Sequence, residues 1–154
     1  MSGEQEASMN ALLSIKPEFG EKILEGDKQY EFRKTVFSDP SSVEKVILYA
    51  SSPVQRIIGY FSPGQIIEDT PQDLWRRVGH LSGIDSRERF LEYFSEKETG
   101  YAIEIDSPTR LQRPIDPREL LDDFQAPMSF KYVNGEFASS LESSPTRPSQ
   151  PSTD

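Results

Sequence analysis

A chain of 154 residues, 34 % of them hydrophobic, is long enough for one domain with a core of its own. Its net charge of −9 argues against broad electrostatic capture of nucleic acid, and the lack of cysteine excludes disulfides and thiolate metal sites. One histidine, His80, cannot make a histidine zinc centre; carboxylates are there for a harder cation, but no motif arranges them, so neither metal nor cofactor is expected.

No apolar run approaches the roughly 18 residues of a membrane-spanning helix. The start MSGEQEASMN lacks the basic lead and apolar middle of a signal peptide, so a soluble cytoplasmic protein is the expectation. Glu4, Glu6, Glu136, Glu142 and Asp154 face Arg147 alone at the two ends, yet the middle of the chain stays acidic as well. A nucleic-acid site here has to be a local basic pocket, not a basic face.

Residues 1–9 are polar and predict a flexible lead-in. Pro17 suits the first turn of a helix in which Phe19, Ile23 and Leu24 share a face before Gly26 ends it. QYEFRK (29–34) alternates as a strand should. VEKVILYA (43–50) reads as a buried strand and RIIGYF (56–61) as its hairpin partner across Ser51–Gln55. Thr70 and Pro71 mark a helix start, with Leu74, Trp75, Val78 and Leu81 as its apolar stripe. A second start falls at Asp85, with Glu88 in capping-box spacing and Phe90, Leu91 and Phe94 as the buried face. GYAIEIDS (100–107) sets Tyr101, Ile103 and Ile105 against Ala102, Glu104 and Asp106. IDPRELLDDF (115–124) predicts a short helical turn and MSFKYV (128–133) a closing strand. From Gly135 the Ser/Pro-rich end, with little apolar beyond Phe137 and Leu141, predicts a disordered tail over 135–154. Few connections suit parallel crossovers. The expectation is therefore an α+β domain over 10–134, a small mixed or mostly antiparallel β-barrel with attached helices.

Within GDKQYEFRK (26–34), an extended chain turns Tyr30 and Phe32 to one side and Gln29, Glu31 and Arg33 to the other. Glu31 and Arg33 then stand roughly 7 Å apart, near enough to pair or to hold one ligand. Lys28 has the parity of the core side, where an ammonium is costly. The regular strand is thus expected to begin after Lys28, freeing it to turn towards Glu31 and Arg33. On spacing alone the commoner reading of Glu31 and Arg33 is a surface ion pair worth about 0–1 kcal/mol.

Gly26, Lys28, Glu31 and Arg33 spell G-x-K-x-x-E-x-R behind the helix PEFGEKILEGD. With LLSIKP ahead and GYAIEI behind, residues 10–133 resemble the ASCH domain family, a branch of the PUA-like superfamily. The resemblance implies a small β-barrel, a cleft beside the helix leading into the motif strand, and RNA or a modified nucleotide as ligand. It makes Lys28, Glu31 and Arg33 the lining of that cleft. Lys28 and Arg33 suit phosphate or base carbonyls, and Glu31 an exocyclic amine. Lys16, ahead of the first helix, is a further candidate for the same cleft. Ser51 and Ser52 either offer hydroxyls to a phosphate or serve only their turn. Phe130 and Tyr132 are candidates for stacking a base, as are Tyr60 and Phe61, although aromatics more often belong to the core.

Some members of the family are amidohydrolases that remove the acetyl group of N4-acetylcytidine. They resemble this chain at the lysine but carry a threonine nucleophile where Glu31 stands, with a further glutamate after the hairpin. Glu68, Asp69 and Asp85 lie in that region, and caps and turns account for them. If Lys28 and Glu31 were catalytic, Glu31 would act as base on water while Lys28 polarised the carbonyl. Three readings follow. An RNA- or nucleotide-binding module is favoured over an amidohydrolase of acylated nucleosides. The third is an adaptor that senses a small anion and meets protein partners through its acidic surface or tail. No membrane partner is expected.

Overall fold

Continuous apolar runs, rather than clean alternation, mark the central strands of a six-stranded mixed sheet covered on both faces. The computed structural model describes residues 9–95 and 97–142, so residues 1–8 of the flexible lead-in expected over 1–9, and residues 143–154 of the tail expected over 135–154, lie outside the described residues. The elements are β1 (Met9–Ile15), α1 (Pro17–Glu25), β2 (Tyr30–Arg33), β3 (Val43–Ala50), β4 (Arg56–Asp69), α2 (Pro71–Val78), α3 (Arg87–Tyr93), β5 (Gly100–Ile115), β6 (Phe130–Val133) and α4 (Gly135–Glu142). The strand order is β2-β5-β4-β3-β1-β6; β1 and β3 run parallel and every other pair is antiparallel.

No ladder joins β2 to β6, so the sheet is not closed into the expected barrel. It is an open sheet with two edges. Along β1 and β3, Ala11, Leu13, Val46 and Leu48 face the core under α1, whereas Leu12, Ile47 and Tyr49 face the core under α4. A third cluster seats Phe32 and Ala102 beneath Leu74, Val78, Phe90 and Phe94 of the α2–α3 region. The face of β5 expected to be polar at Ala102 is thus covered by helices.

Three further elements differ from expectation. β1 begins at Met9, inside the segment read as a lead-in, because Ala11, Leu12 and Leu13 are all fully buried and hide the period-two signal. The cap of α3 is Ser86, not Asp85: its hydroxyl accepts from the Arg89 N–H at 3.2 Å. Residues 135–142, read as disordered, form α4. Phe137, Ala138 and Leu141 fall on one helical face and are buried, and Asn134 Oδ1 caps the helix by accepting from the Phe137 N–H at 2.8 Å. The Thr70 cap of α2 is as expected, accepting from the Asp73 N–H. Among the described residues no helix is long and apolar enough to cross a membrane.

Candidate functional site

α1 ends in a left-handed Gly26 at φ 89°, a conformation that costs any residue with a Cβ. The chain then folds back so that the N–H groups of Asp27 and Lys28 both donate to Lys22 O, at 2.9 and 3.0 Å. That reversal delivers Lys28 beneath the helix before the strand starts at Tyr30, which is how it leaves the pleat. Its ammonium donates to Ser82 O at 2.5 Å, lies 3.6 Å from Glu31 Oε1, and sits over the rings of Phe19 and Phe32.

The side chains of Glu31 and Arg33 are 6 % and 11 % exposed, so the pair expected at the surface is largely buried, and Lys28 is buried beside it. Arg33 completes a triad, its Nη1 donating to Glu31 Oε2 at 3.0 Å. Its Nη2 donates to Ser14 O, Ser129 O and Ser129 Oγ at 3.0–3.3 Å. Arg33 therefore ties edge strand β2 to the β1–β6 side across the gap in the sheet. These Nη donors are committed to the protein, while its Nε is buried without a partner.

Burial pushes the Lys28 ammonium below the ordinary lysine value, and the neighbouring Glu31 carboxylate only partly opposes this. Between that lowered value and 10.5 the unfolded chain holds a proton that the folded chain has lost. Stability should therefore rise with pH across this window. Urea unfolding from neutral to alkaline pH is expected to show that rise in the wild type, and a flatter profile in Lys28→Met.

The loop 82–84 holds Lys28 from the other side. Ser82 Oγ donates to Gly79 O, and Lys22 Nζ donates to Gly83 O at 2.8 Å. Gly83 has φ 75°, and a Cβ there would lie 3.1 Å from Lys28 Cβ. Gly83→Ala is expected to lose about 1–2 kcal/mol from the backbone conformation alone. It should also shift the resonances of Lys28 in an NMR spectrum.

The triad opens into a cleft of about 390 Å³ between α1, β2 and α3. Phe19 and Tyr93 supply aromatic walls, Tyr93 being 40 % exposed, and Lys16, Arg89 and Glu92 stand at the margin. Four cationic groups thus meet two carboxylates in a chain whose net charge is −9. Among the described residues no cluster of three or more His, Asp or Glu is placed to hold a metal ion.

Ser51 and Ser52 do not join the triad. They line an adjoining cleft of about 420 Å³ with Tyr49, Gln55 and the exposed Met128, and the two clefts share Ser14, Ile15 and Lys16. Phe130 and Tyr132 line neither. Phe130 packs edge-on to Phe37 and joins the core, and the Tyr132 hydroxyl accepts from the Ser38 N–H at 3.0 Å, so neither ring is a wall of these clefts. Phe61 is fully buried and Tyr60 packs against the core under α4. Phe19 is the wall that spacing could have revealed, one helical turn beyond Lys16. Tyr93 and Arg89 reach the cleft only through tertiary packing.

The ASCH domain pattern matches residues 13–109, a span that holds every residue of the triad and its cleft. The chain belongs to the ASCH domain family. An ASCH domain-containing ribonuclease from Zymomonas mobilis is 29 % identical over 135 residues, 86 % of this chain and 90 % of that protein. The crystal structure of ASCH from Zymomonas mobilis matches with a TM-score of 0.77 at 28 % identity, covering 87 % of this chain and 94 % of that one. The N-terminal domain of Staphylothermus marinus McrB shares the fold alone, with a TM-score of 0.57 at 12 % identity over 92 % of this chain and 99 % of its own.

Proposed function

We infer that this ASCH domain binds single-stranded RNA, one nucleotide entering the cleft between α1 and α3 while the backbone passes Lys16. The observation that carries this is the local surplus of cations beside two aromatic walls in an otherwise acidic chain. A cleft of this size receives a base only after it has left a stack, which single-stranded RNA permits. Lys16 borders both clefts and is exposed, so a strand crossing from one to the other meets it. The Arg33 donors are occupied within the fold, so its part is positive charge rather than hydrogen bonding.

Lys16→Ala tests this without touching the buried triad. Affinity for a labelled oligoribonucleotide should fall severalfold, and the slope of log K against log salt should flatten by roughly 0.7. Unchanged affinity and an unchanged slope would remove Lys16 and the crossing path.

Strand cleavage is the second reading, favoured by the ribonuclease name of the Zymomonas mobilis relative. Burial lowers the pKa of the Lys28 ammonium, which makes it a readier proton donor than an exposed lysine. Appearance of shortened RNA with the wild type, and none with Lys28→Met, is the expected sign. RNA left intact after long incubation with excess protein would leave binding alone. The amidohydrolase reading has less support, because Glu31 is clamped between two cations instead of presenting a nucleophile.

A further inference from the structure

We propose that a second RNA-contacting patch lies beyond α3, where Trp75, Arg76, His80 and Arg87 take up the strand that leaves the cleft. The proposal rests on the RNA reading above, and it assigns a separate surface to the same ligand.

These four residues and Gln72 line a shallow depression of about 470 Å³, and no carboxylate lines it. Arg76 is ion-paired with the half-buried Asp73, whereas the side chains of Arg87 and His80 have no hydrogen bond or ion pair among the described residues. Two guanidiniums and an imidazole thus face solvent without a countercharge in the lining, on a chain of charge −9. Trp75 is held rigidly. Its ring lies 5.1 Å from that of Phe90, and its indole rests on Gly79, where an added Cβ would come within 2.5 Å of the ring. A fixed aromatic beside one unpaired guanidinium, Arg87, and one shared with Asp73 is a combination that stacks a base and pairs the adjoining phosphate, with no need to read sequence.

Position links the patch to the cleft. Arg87 lines the depression and Arg89, two residues on in α3, lines the cleft. Two such residues point to different sides of the helix, so the sites are separated by about a helix width, roughly 10 Å. A strand leaving the cleft at Arg89 meets Arg87 next and Trp75 after it. An acidic peptide would find the charge here, but it would not use the indole face.

Trp75 is the chain's one tryptophan, so its emission reports on this patch and no other. The full chain is titrated with UMP and with oligouridylate of about ten nucleotides, long enough to span both sites. UMP is expected to bind without changing Trp75 emission, and the oligonucleotide to bind and quench it. Arg76→Gln/Arg87→Gln, both exposed positions, should lower oligonucleotide affinity about tenfold and flatten its salt slope by roughly 1.4, two phosphates at 0.7 each. UMP affinity should not move. Bound oligonucleotide without quenching, or equal affinity in the double variant, overturns the patch. So does quenching by an acidic peptide while RNA leaves the emission unchanged. The cleft fails separately: if UMP does not bind but quenching and its loss in the double variant persist, the patch stands alone.

Discussion

Replacing Glu31 with alanine is expected to cost the folded state about 3–5 kcal/mol, read as a fall in the urea midpoint. Glu31 is the only acid in the triad, and it is the charged partner of both cations. Without it Lys28 keeps the Ser82 carbonyl and two ring faces, and Arg33 keeps the Ser14 and Ser129 oxygens, yet neither keeps a countercharge. Breaking a buried pair from one side is costly because it strands the other charge in a medium of low polarity. Folded domains hold about 5–15 kcal/mol in total, so this loss is a large share. It should also loosen the tie between β2 and β6, since Arg33 spans the two sheet edges and Glu31 orients its guanidinium. Adding Lys28→Met to Glu31→Ala is expected to recover part of the loss, because it removes one stranded cation; the cycle of four proteins measures that coupling. A loss under about 1 kcal/mol in the single variant would mean that the triad behaves as an exposed pair.

How much of this was legible depended on the range of the interactions involved. Pro17, Gly26, Thr70 and Pro71 act within a few residues, and the helix boundaries they set agree with the sequence. The escape of Lys28 from the strand was legible for the same reason, since its parity was wrong for an ammonium. β1 was not, because a strand covered on both faces shows an apolar run that periodicity cannot assign. α4 was hidden by composition: Phe137, Ala138 and Leu141 are few, but they sit at helical spacing and reach a core that other elements build. The burial of Glu31 was equally out of reach. Nothing in GDKQYEFRK announces that α3 and the loop 82–84 will cover it, and these lie some fifty residues on. The open sheet is a matter of edges that never pair, which local pattern does not encode.

Lys28→Met is expected to separate binding from stability. RNA affinity should fall about ten- to a hundredfold, the worth of one hydrogen bond to a charged group, roughly 1.5–3 kcal/mol. The fold should change little in stability or gain. Methionine keeps most of the apolar stem between Phe19 and Phe32, the ammonium no longer has to be desolvated, and Glu31 retains Arg33 at 3.0 Å. The loss of the bond to Ser82 O offsets part of that gain. The pH dependence sharpens the test, because one proton drives two slopes of opposite sign. As Lys28 loses its proton at a pH below the usual lysine range, the wild-type fold should become more stable while its hold on RNA weakens. Both slopes should vanish together in the variant. Wild-type affinity in Lys28→Met, with the stability slope lost, would make Lys28 a structural cation and move the RNA away from this cleft. An affinity slope that persists in the variant would assign that proton to another group.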